Sequence, residues 1–212
     1  MRTDQLIDAL VADSSTLQAG VGRAVAAALP VGLFISVAFL LIGTGLRPDI
    51  ADALGTWRFN FKLVVTLILA VSGAFLMMRA SRPGAEIAAA RMLVFAAPIL
   101  LGLAVIVELT SVPAGSWAHY TIGTNALHCL LLIPTFSAPM LVALMIALRH
   151  GAPTSPGLAG IAASLMASGF GAAIYALQCT DDSPLFLAVW YVAAISILVV
   201  CGRTAGRRFL NW

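Results

Sequence analysis

The chain has 212 residues, of which 61% are hydrophobic and only 10% charged, with a formal net charge of +3. Soluble domains carry about 25% charged residues, so this chain has too little polar surface to wet one water-facing fold. That excludes an ordinary soluble enzyme, a disordered chain and a nucleic-acid-binding domain, because the twelve Lys and Arg are scattered and form no stripe that tracks phosphates.

The first polar feature is the segment 1–23. Thr3-Asp4 offers a helix cap, and Leu6, Leu10, Leu17 and Val21 share one face with Ile7 and Val11 beside them, while Asp4 and Asp8 fall opposite. Such a helix lies on a membrane surface or in a protein groove. Its polar face is acidic rather than Lys/Arg-rich, which favours a protein partner; a plain lead-in to the next segment is the other reading. The acids Asp4, Asp8 and Asp13 also argue against a secretory signal.

A membrane-spanning helix needs about 20 mostly apolar residues. Six such stretches follow: 24–46, 60–79, 91–109, 124–148, 157–178 and 184–203. Turn and charge signals separate them: Arg47-Pro48-Asp49, Ser81-Arg82-Pro83-Gly84, Ser111-Val112-Pro113, His150-Gly151-Ala152-Pro153 and Asp181-Asp182-Ser183-Pro184. The runs are continuously apolar, so they do not read as barrel strands. The expectation is an all-α polytopic membrane protein: a segment 1–23, a six-helix body over 24–203 and a short basic tail, 204–212.

Orientation follows from the positive side chains. The side holding both termini has Arg2, Arg23, Arg79, Arg82, Arg91, Arg149, Arg203, Arg207 and Arg208; the other has Arg47, Arg58 and Lys62. Both termini are therefore expected in the cytoplasm.

Three cysteines remain. Cys201 is expected at the cytoplasmic end of span 6, away from the other two. Cys129, early in span 4, and Cys179, at the end of span 5, lie 24 and 26 residues from the turn near residue 153. At about 1.5 Å per residue the two differ by roughly 3 Å in depth, though rotation decides whether they face each other. His128, Asp181 and Asp182 adjoin them, and Glu108 and His119 fall on the same side. Thiolate, imidazole and carboxylate together bind soft or borderline metals, which makes Cys129, Cys179, His128 and Asp181 a candidate metal set. Two thiols on the oxidising side also form disulfides. The plain alternative is that each Cys packs as a small apolar residue. Asp181 and Asp182 read most simply as a solvated loop cap before Pro184, and Glu108 as a wet residue at a span boundary.

Pro134 and Pro139 are expected to bend span 4, either as packing detail or as a way to carry a change at Cys129 across the membrane. Gly160, Ser164, Ser168, Ala172 and Ala176 repeat every four residues in span 5, a close-packing face.

The opening Met1-Arg2-Thr3-Asp4-Gln5-Leu6-Ile7-Asp8-Ala9-Leu10, the six spans, and Leu177-Gln178-Cys179-Thr180-Asp181-Asp182-Ser183-Pro184 running into Val189-Trp190-Tyr191 resemble the NrsF family. These are membrane anti-sigma factors acting on extracytoplasmic-function (ECF) sigma factors. The resemblance covers essentially the whole chain. It implies sequestration of such a sigma factor by the segment 1–23, and release on heavy-metal or oxidant stress sensed by Cys129 and Cys179 on the periplasmic side; the helix reading above makes Asp4, Leu6, Ile7, Leu10 and Val11 the candidate contacts within that segment. It implies no catalysis, no required cofactor beyond a transient divalent heavy metal, no direct contact with nucleic acid, and membrane lipid as the other partner. Two other classes compete. A small-solute or metal transporter uses spans and prolines of this kind, but Lys62 and Glu108 both fall near span ends. A membrane thiol redox protein normally wants a closely spaced cysteine pair, and no Cys-x-x-Cys is present.

Overall fold

A computed structural model describes the backbone of residues 3–210 and the side chains of Gln5 and of residues 20–210. The side chains expected to form the N-terminal contact face, Asp4, Leu6, Ile7, Leu10 and Val11, lie outside the described residues. All regular structure among the described residues is helical.

Helix α1 runs from Thr3 to Phe39 with Pro30 inside it, so the expected amphipathic segment and the first span belong to one helix. It widens into a π turn over Leu40–Thr44 and stops at Gly45, whose φ of 75° suits glycine and whose N–H donates to the Leu40 carbonyl at 2.7 Å. The short α2 (Ile50–Leu54) leads into α3 (Trp57–Ala80), whose first turn is capped by the Thr56 hydroxyl. Span 3 is divided into α4 (Ala88–Val94) and α5 (Ala96–Ser111). The cause is Pro98, which has no N–H to offer the Val94 carbonyl. After α6 (Trp117–Ile122) comes α7 (Ala126–Leu148), which stays one helix through Pro134 and Pro139. Helix α8 (Pro156–Ala176) begins on a proline, where the missing N–H costs nothing. Span 6 starts at α9 (Pro184–Phe186), capped by the Ser183 hydroxyl, widens over Leu187–Tyr191 and continues as α10 (Val192–Phe209).

Six stretches are long and apolar enough to cross a membrane: Gly20–Thr44, Trp57–Ala80, Ala88–Ser111, Ala126–Leu148, Pro156–Ala176 and Pro184–Phe209. Each overlaps one of the predicted spans, and the largest boundary shift is the longer sixth helix, which takes in much of the expected tail. Val21, Ala80, Ala90, Leu148, Ala159 and Leu210 fall in one cluster, so the start of span 1 and the end of span 6 share one end of the bundle, and the loops after spans 1, 3 and 5 share the other, the distal end.

Helix α8 is the hub, packed by α3, α7 and α10, while α1 lies against α7 and α4 and α5 flank α3. Two-thirds of the most apolar 18-residue stretch of α8 is buried, against about a fifth of the same stretch in spans 1 and 3. Its composition explains this: Gly160, Ser164, Ser168, Ala172 and Ala176 are all buried, as their spacing predicts. A methyl group on Gly160 would run into the Gly202 carbonyl, and one on Gly202 into the Ser164 hydroxyl. Backbones approach this closely only where side chains are absent, which is how helices gain contact in lipid. Toward the termini the core holds Leu76, Met77, Met140, Leu144 and Leu148. Distally it holds Cys129, Ile133, Tyr175, Cys179, Phe186 and Tyr191.

Candidate functional site: two buried thiols under an ion-paired strap

Cys129 sits on the first turn of α7, its N–H bonded to the Asn125 carbonyl at 2.8 Å. Cys179 follows the end of α8, its N–H bonded to the Tyr175 carbonyl at 3.0 Å. The depth argument thus brings both into one distal cluster, 0% and 1% exposed, and both are free thiols. Burial pushes the Cys179 thiol above its ordinary range, opposed in part by the Lys62 charge, the Asp181 backbone and the Tyr175 hydroxyl. Cys201 lies exposed on α10, outside that cluster, as expected.

The segment Gln178–Ser183 lies over this cluster as a strap, and its contacts revise three expectations. First, Lys62 is not a boundary residue. It is completely buried, donates to the carbonyls of Cys179 at 3.0 Å and Asp181 at 3.1 Å, and pairs with Asp182 at 2.6 Å. Second, Asp182 is not a solvated cap. It also takes Arg47 at 2.7 Å, and Arg47 in turn donates to the Cys179 carbonyl at 3.1 Å. Third, Glu108 is not wet: it is 1% exposed, paired with Arg58 at 2.9 Å and accepting from the Ser183 hydroxyl at 3.2 Å. Buried ions in an apolar body persist only when paired and hydrogen-bonded, and each of these is.

Asp181 works differently. Its Oδ2 accepts from the backbone N–H groups of Thr124 and Asn125 at 2.9 and 2.8 Å and from the Asn125 side-chain amide at 2.9 Å. The carboxylate therefore fastens the strap to the residues that precede α7, where backbone N–H groups lack partners. Gly123 makes room for it: φ is 59°, and a Cβ there would lie 2.8 Å from Asp181 Cγ.

Of the other sequence candidates, His128 is exposed beside Cys129, and His119 is exposed on α6, edge-on to the Tyr120 ring. Among the described residues no three or more His, Cys, Asp or Glu side chains are grouped to hold a metal ion. A polar cavity of about 280 Å³, lined in part by Arg58, His119, Tyr120, Thr180 and Asp182, meets the strap without reaching either sulfur. Sequence reasoning missed Arg47 as a site residue and gave Lys62 and Asp182 other roles. The available signal was their charge: one cation within span 2 and an Arg and an Asp directly beyond apolar runs.

No solved structure matches this chain significantly. Along its whole length it is 36% identical to the full-length anti-sigma-F factor NrsF of Caulobacter vibrioides, and 30% identical to the full-length probable anti-sigma-F factor NrsF of Azospira oryzae. Residues 10–212 match the family described as NrsF, negative regulator of sigma F. With six apolar helices, an overlap of the complete chain and the strap segment that first carried the likeness, this protein belongs to the NrsF family.

Proposed function

We propose that this chain is an anti-sigma factor of the bacterial inner membrane. Its N-terminal segment, through Asp4, Leu6, Ile7, Leu10 and Val11, holds an ECF sigma factor on the cytoplasmic side. Capture of a soft divalent metal or oxidation at Cys129 and Cys179, on the periplasmic side, weakens that hold. The observation that carries the reading is the pair of free thiols buried in one distal cluster, at the opposite end of the bundle from the start of α1. The names of the two relatives and the excess of Arg at the end bearing the termini support it.

A signal shifts such an equilibrium only by its differential affinity for the held and released states. About 2.7 kcal/mol changes their ratio roughly a hundredfold, within reach of a thiolate–metal site or a disulfide. The test is co-purification of a sigma factor from detergent-solubilised membranes with the full chain, with a chain lacking residues 1–23, and with Cys129→Ser/Cys179→Ser. Recovery with the full chain and the double variant but not with the truncation is expected, with metal or oxidant releasing the factor only from the wild type. A double variant that still responds sinks the sensing assignment; a truncation that still binds sinks the docking assignment.

The buried Lys62 gives a transport reading one observation it lacked. However, its ammonium is fixed by Asp182 and two carbonyls, which is how a structural cation is held. Metal flux in proteoliposomes would reverse that ranking.

A further inference from the structure

We propose that Arg47 is the positioning residue that couples the cysteine strap to α1, so that a change at Cys179 is passed directly to the helix that begins at the N-terminus. The inference rests on the anti-sigma reading for what α1 delivers, and on the geometry alone for the coupling.

Arg47 follows the π turn that ends span 1 by only three residues, yet its side chain is 5% exposed. It uses its donors in two directions. Nε and Nη2 hold both oxygens of its neighbour Asp49 at 2.8 Å each, while Nη1 holds Asp182 at 2.7 Å and the Cys179 carbonyl at 3.1 Å. Its backbone N–H donates to the Leu177 carbonyl at 3.0 Å. The distal end of span 1 is thus pinned to the strap on both sides of Cys179. Charge-assisted bonds of this kind are short and directional, so they fix the peptide plane of Cys179 as well as its position.

This grip accompanies two free thiols. A new bond to the Cys179 sulfur, whether to a metal or to another sulfur, reorients that residue. Its carbonyl then leaves Arg47 and Lys62, and the end of span 1 is tied to the strap region only through Asp182 and the Leu177 carbonyl, neither of which fixes Cys179 itself. Below that joint α1 is one helix of 37 residues, about 55 Å long at 1.5 Å per residue. The helix is continuous through Pro30, which removes one bond of its ladder, so a rotation at the distal end is passed along one element rather than across a loop. Along its length it is guided by α7, where Ser36 Oγ donates to the Phe136 carbonyl at 2.6 Å and Gly32 rests on Met140.

The test uses full-length protein in its membrane, with the amount of sigma factor retained read by co-purification and the thiol state of Cys129 and Cys179 read by mass spectrometry. Arg47→Gln is expected to release the factor in unstressed cells, lowering the held-to-released ratio about tenfold or more, because the bonds to Asp182 and to the Cys179 carbonyl are lost together. Both thiols should remain free. The same release should persist in Arg47→Gln/Cys129→Ser/Cys179→Ser, because Arg47 acts after the thiols. Asp49→Asn removes the local partner and spares the strap, so it should hold the factor like the wild type; equal release from Asp49→Asn would mean simple loosening and would overturn the coupling. Retention by Arg47→Gln, or by the triple variant, would overturn it as well. Should Arg47→Gln fail to accumulate, Arg47→Lys keeps the charge but has one ammonium for three acceptors. Partial release supports the proposal, and wild-type retention rejects it. The sensing assignment fails separately, through a Cys129→Ser/Cys179→Ser chain that still responds to stress.

Discussion

The two ends of the bundle are held together by different physics. Toward the termini, α8 and α10 meet through Gly160, Gly202 and Gly206, backbone against backbone, with Ser164 inside the contact. At the distal end, the strap is held by Arg47, Lys62 and Asp182 around one carbonyl. Small-residue packing sums many weak contacts that no single chemical event reverses. A polar joint is the opposite: a few directional bonds, strong in a low-dielectric setting and lost together when one group moves.

This contrast can be broken at several points. The largest effect is expected at the polar joint: Asp182→Asn leaves the Lys62 ammonium buried without its carboxylate and should destabilise the chain by about 3 kcal/mol, read as loss of thermal stability in detergent. Next comes the packed end. Gly202→Val drives a branched side chain into Ser164 and should cost about 2 kcal/mol by overpacking, without changing the alkylation rate of Cys179. Asp181→Asn keeps the shape but weakens the bonds to Thr124 and Asn125, at about 1.5 kcal/mol, and should speed alkylation of Cys179 by loosening the strap. Ser36→Ala removes one interhelical bond, worth about 0.6 kcal/mol in membranes. The smallest effect concerns acid. Arg47 holds the Asp49 carboxyl below its ordinary range, so their contact is present above that range and lost only as pH falls through the depressed value. Lowering the pH from 7 to 5 on the strap side should therefore leave sigma retention unchanged; release in that window would mean that another group governs the joint.

Much of the fold was legible in the sequence because lipid makes a simple demand: every backbone polar group must be satisfied within its own helix. Continuous apolar runs therefore located all six crossings, and the spacing of Gly160, Ser164, Ser168, Ala172 and Ala176 located the hub. The cysteines were legible too, since a short connection between spans 4 and 5 matches their depth. Their setting was not. Lys62, Glu108 and Asp182 looked like boundary residues because hydropathy counts a charge only as an interruption.

By itself, then, the chain's pattern of apolar runs, small residues and charges determined a six-helix membrane protein with two thiols at similar depth. Only the tertiary structure decided which charges meet. Ion pairing depends on the rotation of each helix about its axis and on the path of loops such as Gly123–Asn125, set by packing between segments up to 135 residues apart. No local pattern encodes those angles, and they join Cys179 to Arg47 and so to α1.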